Sequence, residues 1–185
     1  MGYVDFVMLL EIIAAVVVGL IILVKLYLCH TGTEHVVVQT ESRTPFALDE
    51  QTDTTLTFST VLDFVNDGKQ CCTIMDAFVR PHLPYEQYAG LETKGHAENI
   101  DAPREDDYFE AWIIEAKEQG KIKAQVKLTA RQGMHVKEAI SKMRDFDLQL
   151  IWLGTGRPPC HYRQVRIEVP AAEIAALAGV ELVQE

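Results

Sequence analysis

The sequence predicts a mostly β protein: an N-terminal single transmembrane helix, then an antiparallel β-sandwich of loosely immunoglobulin-like kind, with one short helix between late strands and a short C-terminal helix. Three observations carry this. The run from Phe6 to Cys29 is apolar, with no charged residue between Ile12 and Val24. Downstream, segments of alternating apolar and polar residues recur with turn residues between them. No strand–helix–strand rhythm runs through them, which argues against a parallel sheet.

The first run sets the architecture. Its 24 positions make a helix of about 36 Å, and a bilayer core is about 30 Å thick. In hydrocarbon the backbone must satisfy its own hydrogen bonds, so an isolated apolar run of this length is a helix. A cleaved secretory signal would carry a basic leading region, whereas residues 1–5 include only Asp5 as a charged side chain. It would also end in small residues, and Leu26-Tyr27-Leu28-Cys29 is bulky. Leu28 before Cys29 equally disfavours a lipoprotein site. A soluble core helix would show a polar stripe. An uncleaved anchor is the expectation.

Lys25 and Arg43 follow the helix and no basic residue precedes it, a small asymmetry that leans toward a cytoplasmic domain. Glu11 is the ionisable residue within the apolar run. One reading pairs it with a polar group on a neighbouring helix. The plainer reading, favoured by its place near one end, is that it snorkels to the interface or stays protonated. Ala15 and Gly19 form at best a weak small-residue contact.

The expected organisation is an anchor over 1–30, a connector and first edge strand over 31–44, the sandwich over 45–170 and a helical tail over 171–185. The chain carries −10. Asp5, Glu11 and Lys25 give the first 29 residues −1, leaving −9 for the remainder. Phosphate and anionic-lipid recognition both draw on lysine and arginine, so nucleic acid is not an expected partner.

Each element follows from its residues. His35–Thr40 has the β-branched density of a strand, and Phe46–Gln51 follows the break at Pro45 as an edge segment. Thr54–Val65 alternates cleanly, with Leu56, Phe58, Thr60, Leu62 and Phe64 inward. Asn66-Asp67-Gly68-Lys69 resembles a hairpin turn with Gly68 available for positive φ. Gln70–Arg80 is the expected return strand, with Cys72, Ile74, Asp76 and Phe78 on one face. Pro81 and Pro84 should end it. From Pro81 to Asp107 no pattern is visible, and so long a loop suggests function; within it Tyr85–Tyr88 suits a helical turn. Tyr108–Lys117 reads as a strand with Tyr108, Trp112 and Ile114 on one side. In Lys121–Ala130, Ile122, Ala124, Val126, Leu128 and Ala130 face in, and Lys121, Lys123 and Lys127 face water. Val136, Ala139, Ile140 and Met143 then fall on one helical stripe. Asp147–Leu153 and His161–Val169 are the last strands, separated by a loop over 154–159. Pro170 can open a terminal helix that Gly179 stops. The Cys, Trp and Tyr hallmarks of immunoglobulin domains are absent.

Little in the sequence assembles into chemistry. Cys71 and Cys72 are adjacent, so on a strand they point apart and cannot both ligate one metal, and the same holds for Cys160 and His161. A thiol-based redox or metal-binding role for Cys71 or Cys72 with Cys160, with a thiol or disulfide site at these residues, is the alternative functional reading; buried, inert thiols are the commoner outcome. The serines lie in no nucleophile elbow. Two prolines and a strand follow Gly154-Thr155-Gly156-Arg157, where a phosphate loop would need a helix. The acids Asp101, Glu105, Asp106 and Asp107 lack calcium-loop spacing. The lysine face suits an exposed strand guarded against pairing. No cofactor is expected. The leading expectation is a non-enzymatic, membrane-tethered interaction or structural module with a protein partner. Its surface is sought at His82, Tyr85, Tyr88 and Arg157. A third reading makes it an accessory subunit recognised through Glu11.

Overall fold

A computed structural model describes residues 3–85, 88–104, 106 and 108–183. The chain forms two compact units, Met1–Thr33 and Glu34–Glu185. The first is a helix, α1 (Tyr3–Thr31). Its segment Phe6–Thr31 is long and apolar enough to cross a membrane and buries none of its apolar window. Signal sequences share that length and composition.

The second unit is a β-sandwich. Its strands are β1 (Val36–Gln39), β2 (Ala47–Gln51), β3 (Thr55–Asn66), β4 (Cys72–His82), β5 (Leu91–Asn99), β6 (Trp112–Ile114), β7 (Gln119–Ala130), β8 (Phe146–Thr155) and β9 (His161–Val169). One sheet runs β1-β3-β7-β5, with β2 also on β3, and the other runs β6-β4-β8-β9. Every pairing is antiparallel. Alternation does the work the sequence implies. Leu56, Phe58, Leu62 and Phe64 of β3 are wholly buried, as are Ile122, Val126 and Leu128 of β7 and Leu148 and Leu150 of β8. Each such side chain contributes about 1.5–3 kcal/mol on leaving water. Phe64 meets Trp152 edge-on at 5.2 Å across the core.

The short helices α2 (Val136–Ser141) and α3 (Ala171–Ala178) close one end. Pro170 stands just before α3, and the Asp145 carboxylate accepts the Ala171 N–H at 2.7 Å. Gly179 ends the helix at φ 67°, a conformation that costs glycine nothing.

Four expectations are corrected. First, β3 and β4 are not a hairpin; they lie in different sheets, and 67–71 carries the chain across. Gly68 is not among the positive-φ glycines. The crossing is held by Asn66, whose side chain is buried with its residue at 0% exposure. Its Oδ1 accepts from the N–H groups of His35 and Gly68, both at 3.1 Å. Its Nδ2 reaches the carbonyls of Gln70, Ile114 and Glu115 at 2.8, 3.2 and 3.1 Å.

Second, the alternation in β4 breaks. The register shifts between Met75 and Phe78, and Asp76 takes φ 49°. This bulge inverts the faces, so Cys72 and Ile74 are followed inward by Ala77 and Val79, and Phe78 turns out. The strand also continues through Pro81 and His82. β6 covers only Cys72–Ile74, so beyond it that side of β4 has no ladder for proline to interrupt.

Third, the stretch 81–107 contains β5. Leu91 is buried, but the inward residues after it are small or polar, with Ala97 and Asn99 buried, so no apolar alternation advertises the strand. Glu105 and Asp107, and Glu86 and Gln87 of the expected helical turn, lie outside the described residues. Fourth, the strand expected at Tyr108–Lys117 contracts to Trp112–Ile114, and Tyr108 is 57% exposed while Phe109 is buried.

Candidate interaction face

Every second side chain of the four-stranded sheet points away from the core, and the pairing register sorts these into rows. Ile113 of β6, Thr73 of β4 and Thr155 of β8 form the first. Met75, Leu153 and Tyr162 of β9 form the second. Phe78, Ile151 and Gln164 form the third. The fourth is Arg80, Gln149 and Arg166, and the fifth His82, Asp147 and Glu168.

The face is therefore divided along its strands. The first three rows hold six large apolar side chains and no charge, in a chain segment that carries −9 overall. Asp76 in the bulge adjoins them. Ile113 is 58% exposed, Tyr162 64% and Phe78 37%. Met75, Ile151 and Leu153 are half-buried. A contiguous apolar patch of this kind on a water-facing sheet is a recognised mark of an interaction surface. The Asp76 bulge creates part of it, since regular alternation would have turned Phe78 inward.

The last two rows are polar and internally bonded. His82 Nε2 lies 3.1 Å from Gln149 Oε1, and Gln149 Nε2 donates to Gln164 Oε1 at 2.6 Å. Arg166 donates to the Asp147 carboxylate. That hydrogen bond, aided by the charges of Arg166 and His82, holds the Asp147 carboxyl below the ordinary range. His82, Asp147, Gln149 and Arg166 line a shallow open hollow of about 250 Å³. The Asp147 carboxylate is thus already committed to a guanidinium.

The residues singled out from the sequence do not gather. His82 lies in the fifth row, and Arg157 is exposed in the loop after Thr155, at the opposite end of the same sheet. Tyr85 is 58% exposed under the Arg131 guanidinium, 5.4 Å from its ring centre. Tyr88 is half-buried, and its hydroxyl donates to the Ala139 carbonyl at 2.5 Å. Burial, with Glu138 nearby, pushes that phenol up, so Tyr88 ties the chain to α2. Glu11 is exposed on the surface of α1.

The four cysteines are free thiols. Cys29, Cys71 and Cys160 are exposed and Cys72 is buried. Burial pushes the Cys72 thiol up, the Glu34 carboxylate adds to this, and Arg163 opposes it. A thiol held in its protonated form is a poor nucleophile. Among the described residues, no three His, Cys, Asp or Glu side chains converge as a metal set. Lys123 of the lysine face is paired with Asp49 at 3.0 Å.

The sequence hides the apolar rows because its turn residues suggest β3 as the neighbour of β4, whereas β4 pairs with β6 and β8. One signal pointed to them: Leu148–Leu153 reads LQLIWL, with Ile151 and Leu153 making the outer face of β8 apolar as well as the inner.

No protein-family model matches the chain. No curated protein matches it. Among the solved structures that match the chain, three do so at low similarity. A FixG-related protein from Vibrio parahaemolyticus is 9% identical over 71% of this chain and 94% of its own, with a TM-score of 0.34. The GAE domain of GGA2p from Saccharomyces cerevisiae is 11% identical over 74% of this chain and 96% of its own, also at 0.34. The yeast GGA1 GAE domain is 10% identical over 74% and 92%, again at 0.34. The β-sandwich assignment rests on the strand pairing itself.

Proposed function

We propose that this protein is a single-pass, membrane-anchored β-sandwich acting as a non-enzymatic interaction or structural module. The observation that carries the proposal is α1, whose segment Phe6–Thr31 buries none of its apolar window. An isolated helix of this composition is stable with its surface in lipid and costly with it in water. The domain from Glu34 onward is then the working part, on the cytoplasmic side by the placement of Lys25 and Arg43. A protein partner is the expected ligand of the domain. Glu11 would add a polar contact to a neighbouring helix, which makes an accessory-subunit role the natural extension.

The test is extraction and protease protection in sealed vesicles. The protein is expected to stay with the membrane at alkaline pH, and the domain to be cut only from the cytoplasmic side. Recovery of the intact chain in the soluble fraction would overturn the anchor. Protection on the opposite side would overturn the orientation alone.

A further inference from the structure

The division of the outer sheet face has a direction relative to the chain. The end that begins with Ile113, Thr73 and Thr155 is also the end where the domain's own N-terminus enters. Val36 pairs with Asn66 there, and Arg163 of β9 donates to the Val36 carbonyl at 3.2 Å. α1 ends at Thr31 and β1 starts at Val36, so five Cα steps, at most about 18 Å, join them. The charged rows with Arg166 and His82 lie at the far end.

We infer that the apolar rows of this face rest on the bilayer that receives α1, with Ile113 and Tyr162 entering its interface. The inference rests on the membrane-anchor reading. A tether this short lets that end of the sandwich reach the lipid surface. The chemistry there suits an interface: aliphatic side chains, Met75 and Leu153 among them, with an amphipathic tyrosine whose ring favours the headgroup level. The rows themselves carry no carboxylate although the domain is strongly acidic, and Asp76 in the bulge is the acid that adjoins them. The bonded polar rows, on the same face but at the far end of the strands, remain in water.

The experiment uses the full chain in vesicles of zwitterionic lipid. Cys29, Cys71 and Cys160 are replaced by serine, and one environment-sensitive fluorophore is placed at position 113, 162, 80 or 166 through a new cysteine. Labels at 113 and 162 are expected to shift to the blue. Quenching by spin-labelled acyl chains should be at least about twofold stronger there than at 80 and 166. A wild-type check uses a photoactivatable lipid, with adducts outside α1 expected on β6 and the start of β9. A chain that floats with the vesicles while all four labels stay open to aqueous iodide overturns this inference and leaves the anchor standing. Labels at 113 and 162 shielded from iodide but not quenched by lipid would mean that a second copy or another protein covers the face, and also overturns it. A chain that does not float removes both readings.

Discussion

Gly95 of β5 lies directly against the backbone of Val79 in β4. A Cβ on Gly95 would stand 2.2 Å from the Val79 carbonyl oxygen and 2.8 Å from its carbon. The contact joins the two sheets at the side where β5 and β4 meet. Since the obstruction is backbone, no rotamer change relieves it.

Replacing Gly95 with alanine is therefore expected to push the sheets apart and destabilise the domain by about 3 kcal/mol, the upper part of the range for overpacking. For a domain of this size that is a fall of roughly 9 °C in Tm, read by thermal unfolding in detergent. An unchanged Tm would mean that β5 does not pack against β4.

Asn66 offers a second test. Alanine there leaves the N–H groups of His35 and Gly68 and up to three carbonyls without their partner. A loss of about 3 kcal/mol is expected, measured as a shift in the urea midpoint. Asn66→Asp keeps the acceptor but turns a carboxylate oxygen toward the three carbonyls, so it should be no better tolerated than alanine.

Alkylation under native conditions should divide the domain's cysteines. Cys71 and Cys160 are exposed and should be modified, while Cys72, buried and with its thiol pushed up, should react only after unfolding. Peptide mass mapping reads the result. Rapid native modification of Cys72 would favour the thiol reading.

Asp49 provides the pH dependence. Burial raises its carboxyl, but hydrogen bonds from Gln125, Lys123 and Ser59 outweigh this and leave it below the ordinary value. A depressed folded value contributes stability that is complete above the unfolded value of about 3.9. That contribution is lost as pH falls through the lower, folded value. Asp49→Asn should accordingly cost about 1 kcal/mol at pH 7. The gap from wild type should close below about pH 3.9 in parallel urea titrations.

The residues of α1, β3, β7 and β8 announced their own conformation. An apolar run the length of a bilayer has one way to satisfy its backbone, and a period-two pattern such as Leu56 to Phe64 fixes which side chains are buried, because both are local constraints. Partner choice is not local. Asn66-Asp67-Gly68 looks like a hairpin turn, and only the carbonyls of Ile114 and Glu115, far away in the chain, draw the Asn66 amide into a crossing between sheets. β5 was invisible because its packing depends on what is missing at Gly95, and absent atoms leave no apolar pattern. The outer face of the second sheet was likewise decided by tertiary structure. Met75, Phe78, Ile151, Leu153 and Tyr162 come from three strands, and they become one patch only when the pairing register and the Asp76 bulge set them side by side.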